Sequence, residues 1–107
     1  MSKAQRVKGH AFEREVARLF RRIFPDARRH LEYQSEQANG VDIDGVGKWR
    51  IQCKRHKNYV PVNTIEEIQP DGIHLLVTKA DNKPTMAVMR LDDLLKILTD
   101  IGEAYHD

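Results

Sequence analysis

Residues 41–54 combine acidic, amide and basic side chains at the two-residue spacing of β-strands. Side chains in a strand alternate between its faces, so Asp42 and Asp44 share one side of a first strand. By the same alternation, Gln52 and Lys54 share one side of a second strand. If the two strands close into a hairpin with their apolar sides together, all four groups lie on one polar surface. Two carboxylates, an amide oxygen and an ammonium are the makeup of a metal-dependent phosphodiesterase site.

The chemistry of such a site suggests a role for each side chain. Cleavage of a phosphodiester at neutral pH requires an activated water and neutralisation of the charge that develops on the phosphate oxygens. Mg²⁺ supplies both, and it takes oxygen ligands from one or two carboxylates while keeping several waters. We therefore predict Asp42 as the anchoring ligand, with Asp44 as an alternative, and Gln52 as a neutral oxygen ligand. Lys54 orients or deprotonates the attacking water or pairs with the phosphate.

A second carboxylate has to come from another element, and an amphipathic helix precedes the strands. Its apolar residues recur at three- and four-residue spacing from about Ala4 to Phe24, and Pro25 ends it. The apolar stripe consists of Phe12, Val16, Leu19, Phe20 and Ile23. Glu13 and Glu15 lie on its two flanks, so periodicity alone does not choose between them.

The rest of the chain reads as further strands and helices of an α/β protein. The predicted order is helix, three strands, helix, two strands, helix. A nearly continuous apolar run at residues 73–78 is typical of a strand that is covered on both faces. The other predicted elements are a weak strand at 30–36, the strands at 41–44 and 49–54, a short helix from Asn63 that residues 70–72 end, a strand at 85–90 and a helix capped by Asp92.

The composition is that of an ordinary globular protein. With 107 residues, 40% of them apolar and 32% charged, we expect one domain over residues 1–107. No apolar run approaches the roughly 20 residues of a membrane-spanning helix, and the N-terminal residues lack the apolar stretch that is typical of a secretory signal. The single cysteine, Cys53, excludes an internal disulfide and agrees with a reducing compartment. We therefore expect no membrane partner and a cytoplasmic location, in a bacterial, archaeal or phage-infected host cell.

Charge is distributed unevenly along the chain. Residues 1–30 hold nine Lys and Arg against three acidic residues, net +6, whereas the whole chain carries only +2. A positive N-terminal third is typical of a protein that binds a polyanion, and the alternative is a solvated helix face. The candidate contacts to a phosphate backbone are Lys8, Arg14, Arg55 and Lys57.

The combined pattern resembles a known group of nucleases. An Asp, then Gln-x-Lys on the next strand, after a helix that bears Glu, is similar to the PD-(D/E)xK nuclease superfamily. Residues 40–43 and 51–55 look most like the Mrr-type restriction endonuclease catalytic domain, which favours Gln-x-Lys followed by a basic residue. In archaeal and phage-type Holliday junction resolvases a glycine precedes the active-site glutamate by four positions, as Gly9 precedes Glu13 here. That resemblance selects Glu13 over Glu15.

The resemblance implies both a fold and an activity. The implied fold is an αβββαβ core with a mixed central sheet flanked by helices, to which this chain adds a C-terminal strand and helix. The implied activity is DNA cleavage with Mg²⁺, or alternatively Mn²⁺, in which Glu13, Asp42 and Gln52 hold the metal and Lys54 serves the attacking water. The resolvase likeness implies branched DNA and a homodimer, because junction cleavage places symmetric nicks in two strands.

Two alternatives remain open at this point. One is a duplex-cutting endonuclease of the Mrr type, which lacks a preference for branched DNA. The other is a catalytically silent DNA-binding protein of the same fold. Gln52 leaves the second alternative open, because the superfamily more often has Glu at this position and Gln removes one negative charge from the metal site.

Overall fold

From the second strand on, the elements follow the predicted order, whereas the first strand that the structure describes precedes the predicted segment 30–36. The computed structural model describes residues 3–30, 40–67 and 72–102. The elements are helix α1 (Lys3–Phe20), strands β1 (Arg28–Arg29), β2 (Ile43–Asp44) and β3 (Trp49–His56), a 3-10 helix (Val62–Glu67), strands β4 (Ile73–Ala80) and β5 (Met86–Val88), and helix α2 (Leu91–Gly102). The predicted α/β class is confirmed, and the second helix of the predicted order is a 3-10 helix.

A mixed sheet with the strand order β3-β4-β5 forms the centre of the fold. Strands β3 and β4 run parallel, in a register that extends from Trp49 opposite Ile73 to His56 opposite Ala80. Strand β5 runs antiparallel to β4. Parallel neighbours require a long crossover, which the chain between β3 and β4 supplies together with the 3-10 helix. The predicted mixed central sheet is therefore confirmed.

Apolar residues cover both faces of this sheet. On one face, α1 packs against alternate residues of β3 and β4, in a cluster that contains Phe12, Val16, Ile51, Cys53, Leu75 and Val77. On the other face, Leu76 packs against Ile65 of the 3-10 helix. Since successive side chains of a strand point to opposite faces, this two-sided covering explains the continuous apolar run of β4.

Helix α1 is shorter than predicted. It ends at Phe20 rather than Phe24, and the chain then tightens, because the Ile23 N–H donates to the Phe20 carbonyl at 3.0 Å, three residues back. Pro25 disfavours helical backbone at the residue before it, so the helix ends early and the chain turns toward β1. The prediction that Ile23 belongs to the buried stripe is wrong, since this residue is 74% exposed.

The predicted hairpin of the second and third strands is also wrong. Strand β2 pairs instead with β1, in a separate antiparallel sheet in which Arg28 lies opposite Asp44. The chain before β2 still touches β3, because the Asp42 N–H donates to the Ile51 carbonyl at 2.8 Å. Short-range alternation predicts the strands but not their partners, and the partner of β2 comes from a segment that sequence patterns did not identify as a strand.

Glycine allows the turn between β2 and β3 to lie close to the preceding loop. Gly45 has a φ of +78°, a backbone conformation that other residues adopt only with strain. A Cβ at this position would also overlap the carbonyl oxygen of Asp26. Gly45 therefore permits the close approach that holds β2 beside the segment leading into β1.

Residues 31–36 of the predicted weak strand lie outside the described residues, and β1 ends at Arg29, two positions before them. Among the described residues, no helix combines the length and the apolar character that crossing a membrane requires.

Candidate active site

A pocket of about 530 Å³ opens where α1, the chain before β2 and the end of β3 meet. The residues that line it are Arg6, Lys8, Gly9, His10, Glu13, Asp42, Cys53, Lys54, Arg55, His56 and Lys57. Three of the four residues predicted to be catalytic, Glu13, Asp42 and Lys54, are among them. Side chains from three separate segments thus face a common volume.

Two hydrogen bonds hold Asp42 at this pocket. Its backbone N–H donates to the carbonyl of Ile51 at 2.8 Å. Its carboxylate Oδ2 accepts the backbone N–H of Cys53 at 2.7 Å. Because the main chain of Asp42 is tied to Ile51 and its side chain to Cys53, the carboxylate is fixed relative to Lys54, the residue after Cys53.

The carboxylate of Asp42 lies in an environment that resists ionisation. Burial is the largest effect and raises its pKa from 3.8 to about 6. The Cys53 N–H opposes this rise, the negative charge of Glu13 adds to it, and the charges of Lys54 and Arg29 oppose it. Two carboxylates in one partly buried pocket repel each other, and such perturbed groups are typical of functional sites.

Glu13 is held by a partner that the sequence did not identify. The Arg29 Nε donates to Glu13 Oε2 at 2.7 Å, and both side chains are only 18% exposed. Arg29 reaches this position because β1 pairs with β2, with Arg29 opposite Ile43. The ion pair orients the Glu13 carboxylate and offsets part of its repulsion with Asp42. No local pattern predicts this contact, because it depends on strand pairing across the segment 31–39.

The alternative carboxylates are engaged elsewhere. Glu15 forms two hydrogen bonds with Arg18, one turn away on the exposed side of α1, at 3.0 and 2.6 Å. Asp44 pairs with Arg28 across β1 and β2 at 2.9 Å. Neither Glu15 nor Asp44 lines the pocket. Of the carboxylates that the sequence left open, the structure therefore brings Glu13 and Asp42 together.

Gln52 occupies a different position from the one expected. It is 4% exposed and does not line the pocket, and its Oε1 is buried without a hydrogen-bond partner. In the register of the sheet, Gln52 lies opposite Leu76, on the side of β3 away from the α1 cluster. Strand alternation puts Lys54, which lines the pocket, two residues further along that same face.

Cys53 contributes its backbone rather than its thiol. Its side chain belongs to the core cluster under α1, whereas its N–H binds Asp42. Burial, followed by the negative charges of Asp42 and Glu13, raises the pKa of the Cys53 thiol. The thiol therefore stays protonated at neutral pH and is not a nucleophile.

The donor atoms at the pocket fit a hard divalent cation. Mg²⁺ binds through one or two carboxylates and keeps several waters, and Glu13 and Asp42 supply two carboxylates. The predicted third ligand, Gln52, does not line the pocket, and its Oε1 is buried without a partner. Within residues 3–30, 40–67 and 72–102, no group of three His, Cys, Asp or Glu side chains is arranged to hold a metal ion.

Basic side chains surround these carboxylates. Of the residues predicted to contact DNA, Lys8, Arg55 and Lys57 line the pocket, whereas Arg14 does not. With Arg6 and Lys54 the lining carries five Lys and Arg against two carboxylates, a net charge of +3 with neutral histidines. The sequence analysis did not assign Arg6 and His10 to the site. They were detectable, because positions 6, 9, 10 and 13 share one side of a helix.

Comparison with known proteins gives one match. The Mrr catalytic-domain family, described as restriction endonuclease, matches residues 4–83. The matched segment covers three quarters of the chain and contains every residue that lines the pocket. No curated protein and no solved structure matches the chain.

The raised pKa of Asp42 predicts how stability depends on pH when no divalent metal is present. The stabilising effect of protonated Asp42 is complete below pH 3.8 and is lost as the pH rises through about 6. The difference between these two values corresponds to up to about 3 kcal/mol. We expect Asp42→Asn, which keeps an oxygen acceptor for the Cys53 N–H, to be more stable than wild type at pH 7.5 and not at pH 4. Urea unfolding in EDTA measures this difference.

Asp44→Asn is the matched control, and the change in stability expected at pH 7.5 has the opposite sign. Burial is the largest single effect and raises the pKa of Asp44, but the Gly45 N–H, Arg28 and His30 together outweigh burial and hold this pKa below its usual value. The stability it contributes is present above the ordinary pKa and is lost as the pH falls, so Asp44→Asn is less stable than wild type at pH 7.5. A loss of stability in Asp42→Asn at both pH values would contradict the assignment of Asp42 to a desolvated site.

Proposed function

Because the chain belongs to the Mrr-type restriction endonuclease family, we propose that it is a divalent-metal-dependent DNA endonuclease whose active site is the pocket of Glu13, Asp42 and Lys54. Family membership makes the chain a nuclease of the restriction-endonuclease type, with DNA as its substrate class. The observation that carries the finer proposal is the convergence of two carboxylates and an ammonium on one basic pocket.

Each residue of the proposed site has a distinct task. Glu13 and Asp42 hold Mg²⁺ or Mn²⁺, which when bound supplies an activated water and neutralises charge on the phosphate. Arg29 keeps Glu13 in position through the 2.7 Å ion pair. Lys54, next to the hydrogen bond that fixes Asp42, pairs with the scissile phosphate or orients the attacking water.

Gln52 is retained in the proposal as a third ligand. Its buried Oε1 has no hydrogen-bond partner, and leaving such an acceptor unpaired costs free energy. Because Gln52 does not line the pocket, its side chain would have to turn toward Glu13 and Asp42 to bind a cation there, and this would give the oxygen a partner. As a neutral ligand, Gln52 leaves the net charge of the site to Glu13 and Asp42.

We propose branched DNA as the preferred substrate. Gly9 lines the pocket one turn before Glu13, and a Cβ at its position would meet nothing within 4 Å. The helix surface beside the carboxylate is therefore open, and the Gly9–Glu13 spacing resembles that of junction resolvases. A second candidate is duplex cutting, which the description of the matched family favours. Initial rates on a four-way junction, a flap and a linear duplex of shared sequence distinguish the two, because only a structure-selective enzyme prefers the branched substrates.

The proposed homodimer has a candidate interface on α2. The apolar residues of this helix recur at three- and four-residue spacing, yet none of its residues is buried. The exposed apolar residues are Leu91, Leu94, Leu95, Leu98 and Ile101. Three Asp and one Lys make the helix net negative, which disfavours nucleic acid or an anionic membrane as the occupant. An uncharged apolar stripe at this spacing can pack against the same stripe of a second copy. A second copy also supplies the second active site that two symmetric nicks require.

Substitutions at the pocket predict the loss of cleavage. Asp42→Ala, Glu13→Gln and Lys54→Ala each remove a metal ligand or the group that serves the phosphate and water. We expect each variant to cut at least about 100-fold more slowly than wild type in Mg²⁺. Glu15→Gln and Asp44→Asn are matched controls that lie outside the pocket, and they should cut at wild-type rates.

Initial rates on end-labelled DNA measure these effects. Undiminished cleavage by Asp42→Ala and Lys54→Ala would contradict the proposed site. A wild-type protein that binds DNA but neither takes up Mg²⁺ or Mn²⁺ nor cuts any substrate would be a silent binding protein of the same fold.

A substitution on α2 tests the dimer. Leu98→Glu places a charge in the centre of the exposed apolar stripe, and we expect it to convert a dimer into a monomer because burial of an unpaired charge is costly. Lys96→Glu adds the same side chain on the polar side of the helix and should leave the dimer intact. Sedimentation velocity gives the mass of each protein. A monomeric wild type, or a dimeric Leu98→Glu protein, would contradict this interface.

A further inference from the structure

One carboxylate oxygen joins two of the cations that line the pocket. The Oδ1 of Asp81 lies 3.0 Å from Lys8 Nζ and 2.9 Å from an Nη of Arg55. Lys8 belongs to α1, Arg55 to the end of β3, and Asp81 to the turn that follows β4. Two walls of the pocket therefore meet at a single anionic oxygen that a third segment supplies.

The chemistry of this contact is that of phosphate binding. An ammonium and a guanidinium that converge on one anionic oxygen make the same charge-assisted contacts with a phosphate of a nucleic-acid backbone. Lys8 first, and then Arg55, hold the pKa of Asp81 below its usual range. Asp81 is therefore ionised at neutral pH, so it can occupy the place of a phosphate oxygen.

The contact is also open to exchange. The side chains of Lys8 and Asp81 are 44% and 40% exposed, so water and a ligand can reach the carboxylate from the Lys8 side, while the side chain of Arg55 is only 19% exposed. Because exposed ion pairs contribute little to stability, replacement of Asp81 by another anion at Lys8 costs little. The turn is held independently, because the Asp81 N–H donates to the Lys57 carbonyl at 3.2 Å and the Lys83 N–H to that of Ala80 at 3.2 Å.

We propose that Lys8 and Arg55 form a phosphate subsite for the DNA backbone at the edge of the active-site pocket, and that Asp81 occupies this subsite in the free protein as an internal competitor. The inference rests on the proposed nuclease function and adds to it a subsite and a residue that weakens DNA binding. A backbone phosphate that reaches the pocket takes the two cations, and the Asp81 carboxylate returns to solvent.

A purely structural role for Asp81 makes a different prediction. The Lys8–Asp81 contact joins residues 73 positions apart and so also links α1 to the β4–β5 turn. If that link is its only role, removal of the charge loosens the pocket wall, and DNA binds equally well or more weakly. If Asp81 competes with phosphate, removal of the charge tightens binding. The sign of the change therefore separates the two roles.

The test compares Asp81→Asn with Asp44→Asn. Each variant removes one negative charge from a partly exposed carboxylate, 40% exposed in Asp81 and 38% in Asp44. Asp81 pairs with two pocket cations, Lys8 and Arg55, whereas Asp44 pairs with Arg28, which does not line the pocket. Binding of a fluorescein-labelled four-way junction and a linear duplex is followed by fluorescence anisotropy in EDTA at several NaCl concentrations. Circular dichroism and urea unfolding establish that each variant is folded.

We expect Asp81→Asn to bind about three- to fivefold more tightly than wild type at low salt, in line with the small free energy of an exposed ion pair. Its log–log salt dependence should be steeper by up to about one, because an additional cation becomes available to phosphate. Asp44→Asn should stay within about twofold of wild type, because its partner Arg28 does not line the pocket and no pocket cation is released. Lys8→Gln introduced into the Asp81→Asn protein should abolish the gain.

The results that overturn the subsite differ from those that overturn the nuclease. DNA binding by Asp81→Asn that is unchanged or weaker, or an equal gain in DNA affinity in Asp44→Asn, overturns the subsite. Cleavage by the wild-type protein in Mg²⁺ then still supports the nuclease function. Absence of cleavage together with tighter binding by Asp81→Asn overturns the nuclease and supports the subsite. Absence of DNA binding by all three proteins overturns both.

Discussion

The attachment of Asp42 to the edge of β3 is the interaction on which the candidate site depends. The Asp42 N–H binds the Ile51 carbonyl, and its carboxylate accepts the N–H of Cys53. The side chains of the same two β3 residues lie in the core beneath α1. Ile51 and Cys53 therefore place their side chains in the core and offer their backbone groups to Asp42. The packing of the core in this way sets the position of the Asp42 carboxylate.

This arrangement places like charges where water cannot screen them well. Burial and the nearby Glu13 raise the pKa of Asp42 to about 6, and Arg29 compensates only in part through its ion pair with Glu13. A bound divalent cation would offset the remaining repulsion. The basic side chains around the carboxylates are then available to the phosphates of the substrate. Asp81 pairs with two of them, Lys8 and Arg55, while no phosphate is present.

Much of the fold and part of the site were predictable from sequence. Alternation and helical spacing predicted the first helix and the order of elements from β2 onward, because these signals are local, but they did not predict β1. The hairpin of β2 with β3 was wrong because alternation does not encode the strand partner, which is β1. Glu13 was chosen through a family likeness rather than periodicity. Arg29 and Asp81 were missed, because their contacts with Glu13 and Lys8 join residues 16 and 73 positions apart. For Gln52 the strand face was predictable, but its burial depended on how the two faces of the sheet are covered.

The most direct measurement is a crystal structure of the protein grown with Mn²⁺, with anomalous diffraction used to locate the ion. The expected result is an anomalous peak about 2.0–2.2 Å from carboxylate oxygens of both Glu13 and Asp42, with ordered waters completing the coordination shell. Two results would contradict a shared metal site. One is Mn²⁺ bound only elsewhere, and the other is a crystal in which Glu13 and Asp42 point away from each other with no ion between them.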